Sequence, residues 1–413
     1  MKILKSIWYK IYYPLRDIWR WFARWTSNLF MLGFCFTAAF ICRHRKKRFD
    51  VGLGPLPLIN NVYHKRALKK YGYTAKTFCN EVFFINDDYD YIASRSLPKF
   101  LAKKFIYGSL FLHTIRNYRC IYIYFNGGIL GFHPFLWRFE ARLYKIARVK
   151  TVVTGYGADV HDMTRSPNLL FKNAMSHDYP KHRFSRKSII RSVDLWSLKA
   201  DHIISGNDWV DYLYHWDTLM IAHFSIDTEQ WKPAETVPPE LQGENRPLRI
   251  FHAPNHKTIK GSKHFIRAVE ELKNEGLNIE LVMLQKVPNH VIRETILTVD
   301  VVADQIIMGW YAMFALEAMS MGKPVICSVL PAYEELFIEE GLLEPGELPL
   351  IRCTHLTVKE TIRDLYNRRA ELPEIGRRSR EYVQKHHSLE YVGSVFDKIN
   401  RSIGISPSQS PES

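Results

Sequence analysis

The sequence predicts a parallel α/β protein of two domains, and three observations lead there. From Phe49 onward, short apolar runs alternate with helix-length stretches. The runs fall into two series: Phe49 to Leu53, Cys120 to Phe125, Val149 to Thr154 and His202 to Ser205, then Arg249 to His252, Ile279 to Leu284, Asp300 to Ala303, Pro324 to Val329 and Pro349 to Arg352. Between the series, Lys232 to Pro247 holds Pro233, Pro238, Pro239, Gly243 and Pro247, which reads as a linker. With 413 residues there is room for domains of about 180 and 140 residues facing each other across a cleft, with ligands at the carboxyl ends of the strands.

Residues 1–48 are different in character. Ile3, Leu4, Ile7, Trp8, Ile11, Tyr12, Leu15, Ile18, Trp19 and Phe22 recur at helical spacing opposite Lys5, Lys10, Arg16 and Arg20. Pro14 is expected to kink or restart this helix. Uncharged residues then run from Trp25 to Cys42, a helix of about 27 Å against a hydrocarbon core of about 30 Å. Basic residues flank both ends, so charge does not orient the segment. An interfacial or re-entrant anchor, a single span and a helix packed on the protein itself all fit; a cleaved signal peptide does not, because no small-x-small site follows.

The charge balance supports the membrane side of that choice. Of the formal net charge of +15, +9 lies in residues 1–50, where eleven Lys and Arg face two Asp. The rest of the chain is near balance, which argues against a nucleic-acid groove and for an anionic membrane surface. Cys35, Cys42, Cys79, Cys120, Cys327 and Cys353 have neither disulfide-framework nor zinc spacing, so the expected compartment is reducing.

The second series resembles a known family. Ile250 to Gly261 (IFHAPNHKTIKG), Asp300 to Gln305 (DVVADQ) and Gly309 to Val325 (GWYAMFALEAMSMGKPV) look like the strand, loop and helix starts of family 4-type retaining glycosyltransferases with the GT-B fold. Less closely, Gly54 to Asn61 (GPLPLINN) resembles that family's loop after strand one, and Thr154 to Asp159 (TGYGAD) its acceptor-side turn. The pattern of residues 1–48 implies a basic-aromatic, membrane-associating helical segment and that of 233–247 a linker, while the resemblance implies a Rossmann-like acceptor domain over 49–232. A Rossmann-like nucleotide-sugar domain would follow over 248–385, then a helix over 386–401 crossing back to the first domain. The Ser/Pro/Gln-rich tail, 402–413, is expected to be disordered.

The chemistry suits the residues. Departure of a nucleoside diphosphate builds negative charge, which a cation and helix N–H donors stabilise; Lys260 stands before Gly261 and a helix start. A carboxylate at Glu317, in a helix closed by Gly322, can accept hydrogen bonds from a ribose diol, as the resemblance also implies. Asn255, Gln305, Gly309, Trp310 and Tyr311 would shape the donor pocket, Tyr156 and Asp159 would face the acceptor, and Gly54 and Asn60 would lie on the acceptor or interdomain loop.

Three positions depart from the family pattern: Gly309 where a sugar-binding Glu is usual, Pro254 where an Arg is usual, and Tyr156 in place of a His. Asp304 and Gln305 are nearby substitutes for the first. Asp88 and Asp90 form an Asp-x-Asp pair, read as part of a polar cluster rather than a metal site, and His133, His161, His177 and His182 lack ligand spacing. Gly52 and Gly54 are too short a pattern for a dinucleotide fingerprint.

The expected function is therefore transfer of a sugar, with retention, from a nucleotide diphosphate-sugar to a membrane-associated glycan or lipid-linked acceptor, without metal or other cofactor, on the cytoplasmic face of a membrane. The alternative is a catalytically inactive membrane-bound binding or assembly subunit of the same fold.

Overall fold

The computed structural model describes residues 2–82, 88–96, 99–243 and 245–410. Two all-parallel sheets form the frame. The first contains β1 (Phe49–Leu53), β2 (Ala75–Cys79), β3 (Tyr91–Ile92), β4 (Tyr118–Tyr124), β5 (Lys150–Thr154), β6 (His202–Ser205) and β7 (Thr218–Leu219), in the order β3-β2-β1-β4-β5-β6-β7. The second contains β8 (Leu248–His252), β9 (Ile279–Met283), β10 (Val301–Ala303), β11 (Val325–Cys327) and β12 (Ile351–Arg352), in the order β12-β11-β10-β8-β9. Val51 stands opposite both Ala75 and Cys120, and Ile250 opposite both Val301 and Leu281. Helices cover both faces of such sheets, so central strands must be apolar on both sides, which is why β4, β5, β8 and β10 were visible as unbroken runs. In each sheet the order reverses beside its first strand, between β1 and β4 and between β8 and β10. The loops leaving those strands carry the predicted site residues.

Several connections join the halves besides the linker. Helix Leu372–His386 turns into Leu389–Ser402, which packs on Ile59–Lys70 of the first domain. At that turn the Tyr311 hydroxyl meets Tyr382 and His387, each at 2.8 Å, and His387 meets the Phe224 carbonyl at 3.0 Å. Helix Leu169–Asp178, inserted between β5 and β6, puts Phe171, Ala174 and Met175 into the core of the second domain with Ile250 and Ile259. The tail differs from its expected disorder over Ser406 to Gln409: Ser408 donates to Asp50 at 2.6 Å, the Ser406 carbonyl accepts from Arg119 at 2.9 Å, and Gln409 N–H donates to Gly72 at 3.1 Å. Asp50, almost fully buried at the start of β1, needs these donors.

The N-terminal helix is continuous over Lys2–Cys42, running through Pro14. The side chains of residues 1–11 and 14, including Ile3, Leu4, Lys5, Ile7, Trp8, Lys10 and Ile11 of the proposed amphipathic face, lie outside the described residues. Its second half packs on the first domain: Cys35, Ala38, Ala39 and Cys42 are buried, Met31 and Phe34 close on Gly108, and Phe36 meets Phe139. The opposite side stays bare, with Trp19, Phe30, Phe40 and Ile41 about 70% exposed. Leu15–Cys42 is long and apolar enough to cross a bilayer by length and composition, the same criterion a partly buried helix meets.

Candidate functional site: a cleft between two parallel sheets

On the second domain the site starts at the end of β8. His252 is fully buried and held by the Ala303 carbonyl and the Ser262 hydroxyl, both at 2.8 Å. Burial lowers its pKa to about 4, so it is a neutral strut. Beyond it, Asn255 is exposed and Lys260 lies at the end of the short helix Lys257–Lys260. Gly261 has φ +73, and a Cβ there would lie 2.5 Å from Ile306, so the backbone can turn only as glycine.

Lys260 is not a free cation. Its ammonium pairs with the Asp304 carboxylate, which is fully buried at the end of β10 and also accepts from the Ala312 N–H at 3.3 Å. Glu317 lies close enough to feel both charges. It is buried on the helix Met313–Ser320 with one weak contact, Asn289 Nδ2 at 3.5 Å. Burial raises its pKa to about 8, keeping the carboxyl protonated at neutral pH in this state. A ligand supplying hydroxyl donors would favour the ionised form.

The remaining donor-side residues build the loop rather than face its opening. The Gln305 amide donates to the Trp310 carbonyl, and Ser328 N–H donates to Gln305 O at 2.7 Å. Trp310 and Tyr311 are fully buried, with Trp310 against Tyr333 and Phe337. Gly309 has φ +95, and a Cβ would come within 2.6 Å of Leu330, so the usual side chain does not fit at this position. Asn168 of the first domain fastens the loop by donating to the carbonyls of Ile307 at 2.8 Å and Met308 at 3.0 Å.

On the first domain, Asp159 is fully engaged. Oδ2 accepts from Phe125 N–H at 2.9 Å, and Oδ1 from Tyr156 at 2.9 Å and Gly157 at 3.1 Å. Burial raises its pKa to about 6, against these three donors. It therefore holds the 154–159 turn, while Tyr156 stands edge-on to Tyr124 beside it. Gly54 leaves no room for a side chain, since a Cβ would meet the Phe78 carbonyl at 2.1 Å. Asn61, next to the predicted Asn60, accepts from the Tyr124 hydroxyl at 2.8 Å and donates to Leu56 at 2.7 Å. Asn60 and Asn126 each carry a buried side-chain oxygen without a hydrogen-bond partner among the described residues.

Sequence reasoning missed several partners. His161, which lacks ligand spacing in the sequence, is buried with Nε2 2.9 Å from Asp208 and Tyr212 against its ring. Its sequence signal was only its place two residues after Asp159. Asp178 crosses from the first domain to accept from Thr258 N–H at 3.0 Å and Ile259 N–H at 2.9 Å, and Tyr179 meets His256 beside it. Of the Asp-x-Asp pair, Asp90 accepts from Lys76 and Thr77 N–H at 2.9 Å and from Lys65 at 3.2 Å, and Asp88 lies 3.8 Å from Lys65.

No known family model and no curated protein matches this chain. Among solved structures it is similar to sucrose-phosphate synthase from Thermosynechococcus elongatus, with 13% identity, TM-score 0.55, and 86% of this chain and 99% of that one covered. It is similar too to HepE of Anabaena in complex with UDP, at 14% identity and TM-score 0.55, covering 86% of this chain and 100% of that one. WaaG, a glycosyltransferase of lipopolysaccharide biosynthesis, aligns at 12% identity and TM-score 0.50, over 84% of this chain and 99% of that one. With two Rossmann-like parallel sheets, the switch-point cleft between them and these neighbours, the chain has the GT-B fold.

Proposed function

We propose that the protein is a glycosyltransferase that moves a sugar from a nucleotide diphosphate-sugar to a membrane-associated glycan or lipid-linked acceptor, with retention at the anomeric carbon. The observation that carries this reading is the trio Lys260, Asp304 and Glu317 at the carboxyl ends of β8 and β10. It sets a cation beside a buried, nearly unpartnered carboxyl next to the start of a helix. The donor's ribose diol would hydrogen-bond to Glu317, and its diphosphate would draw Lys260 away from Asp304. As the C1–O bond to phosphate breaks, Lys260 and N–H groups at the start of helix Met313–Ser320 stabilise the charge that develops. The acceptor oxygen forms the new bond on the same face of C1, and its proton passes to the departing phosphate, so no protein base is required. Tyr156, Asn60 and Asn126 would meet the acceptor, with Asp159 holding the turn. HepE, solved with UDP, supports a nucleotide-bearing donor by analogy of fold.

The helix Lys2–Cys42 would bind the interface of an anionic membrane, with Cys35, Ala38 and Ala39 on the protein and Phe30, Phe40 and Ile41 in the lipid. A span over Trp25 to Cys42 would have to strip the buried side off the first domain. Arg43, Arg45, Lys46 and Arg48 follow directly, beside Arg119 and Arg148, and would meet anionic headgroups on the cytoplasmic side.

The test is release of nucleoside diphosphate from a panel of nucleotide sugars by the full-length protein, with and without membrane extracts as acceptor. Slow release that accelerates with one extract supports the enzyme. Saturable binding without turnover across the panel would favour the inactive subunit.

A further inference from the structure

A second cavity, of about 690 Å³, lies at the amino ends of the second sheet's strands, on the far side of that sheet from the cleft. Arg246, Asp300 and Lys323 stand just before β8, β10 and β11, and β10 itself separates Asp300 from Asp304. The linker forms one wall, through Pro233, Val237 and Leu241, and helix Leu372–His386 forms another. The volume is that of a site for a metabolite-sized ligand.

Its charges do not close. Each carboxylate on the wall already has a cation of its own: Asp300 takes Arg246 through both oxygens at 2.7 and 2.8 Å, Glu235 takes Lys232 at 3.3 Å, and Glu381 takes Arg377. Three cations remain whose hydrogen-bond partners among the described residues are backbone carbonyls alone; Asp300, already held by Arg246, lends its charge to Lys323 and Arg369, and Arg369 also lies over the Tyr366 ring. Lys323 donates to Leu297 at 3.2 Å and Val299 at 2.8 Å. Arg380 donates to the carbonyls of Thr228, Trp231 and Ser320. Arg369 donates from Nη1 to the Arg246 carbonyl at 3.1 Å, while its buried Nε and Nη2 have no hydrogen-bond partner among the described residues. Partly buried cations that share one carboxylate already committed to Arg246 are costly, and an entering anion would offset that cost.

We propose that this cavity binds a small organic anion, its phosphate or carboxylate end on Lys323, Arg369 and Arg380 and its body against Pro233, Val237 and Leu241. Guanidinium forks suit both head groups. Because the site joins the linker to the helix that crosses between the domains, an occupant resists movement of one domain on the other, which makes it an effector site separate from the cleft.

The experiment is isothermal titration and thermal-shift measurement on the full-length protein with inorganic phosphate, glucose 6-phosphate and citrate, each against sodium chloride at matched ionic strength. Saturable binding of at least one is expected. It should weaken about tenfold or more in Lys323→Met and in Arg369→Leu, and should persist in the double variant Lys260→Met with Asp304→Asn. Should the buried variants fold poorly, Val237→Glu on the exposed linker wall adds a carboxylate facing the cations and should weaken the same anion. A phosphate ester preferred over citrate identifies a phosphorylated ligand, and the reverse order a carboxylate. No saturable binding by any of the three, affinity equal in wild type and all wall variants, or binding lost in the folded double variant Lys260→Met with Asp304→Asn would each overturn the proposal.

Discussion

The two halves of the cleft use carboxylates in opposite ways. In the first domain, Asp159 is saturated by three backbone N–H groups and fixes a turn. In the second, Glu317 is equally buried yet holds one weak contact, and its neighbour Asp304 is committed to Lys260. Burial raises the pKa of both Asp159 and Glu317, but only Glu317 keeps unused acceptor capacity. Unused capacity, rather than burial or a shifted pKa, separates a binding carboxylate from a structural one.

The strongest way to break this contrast is at Lys260. Lys260→Ala alone would leave Asp304 buried without its cation, at a cost of about 3–5 kcal/mol. The informative variant is therefore Lys260→Met with Asp304→Asn, which should fold and lose turnover by about 10²-fold or more. Wild-type release of nucleoside diphosphate by the folded double variant would remove Lys260 from the mechanism.

Asp159→Asn should act on stability instead. An amide has one acceptor oxygen for three N–H donors, so unfolding in urea should show a loss of about 1–3 kcal/mol. Turnover per folded molecule should stay within a few-fold of wild type. A large turnover loss at unchanged stability would move Asp159 into the chemistry and erase the contrast.

Glu317→Gln sharpens it from the other side. The folded pKa of about 8 lies above the ordinary value of 4.5, so this group's contribution to stability is intact below about pH 4.5 and is lost as pH rises toward 8. The variant should therefore be more stable than wild type at pH 8 and little changed at pH 4, measured by thermal unfolding, while its nucleotide affinity falls about tenfold. Equal affinity for nucleotide in wild type and variant would take Glu317 out of the donor site.

The smallest effect on chemistry is expected from deleting residues 1–24, which lie outside both half-sites. Nucleotide-sugar hydrolysis should stay within a factor of about two, whereas flotation with anionic vesicles and activity on a membrane-embedded acceptor should fall. Full flotation of the shortened protein would place membrane binding on Phe30 to Ile41 and the basic run after Cys42 alone.

How far the sequence revealed this depended on what each residue answers to. The five strands of the second sheet and β1, β4, β5 and β6 of the first were legible as short apolar runs, which burial on both faces leaves unbroken in the central strands. β2 was missed because Lys76 and Thr77 interrupt it, and the two-residue β3 and β7 were missed as well. Lys260 and Glu317 were proposed from their strand, loop and helix context and the resemblance it carries. Their partners Asp304 and Asn289, like the His161–Asp208 contact, depend on chain crossings of up to 47 residues that no local pattern encodes. Trp310 and Tyr311 were expected to shape the donor pocket but are buried, Tyr311 by Tyr382 and His387 at the end of helix Leu372–His386, and Trp310 by Tyr333 and Phe337.

Helix Leu169–Asp178 belongs to the first domain by connectivity and to the second by packing. The linker therefore marks where the chain passes between sheets, not where the molecule can be cut. A fragment beginning at Leu248 would lack Phe171, Ala174 and Met175 and expose the apolar surface around Ile250 and Ile259 that they cover. A fragment ending before the linker would carry those side chains with nothing to receive them. The two sheets are thus expected to melt in one calorimetric transition, and truncation at the linker should yield two aggregation-prone halves rather than two domains.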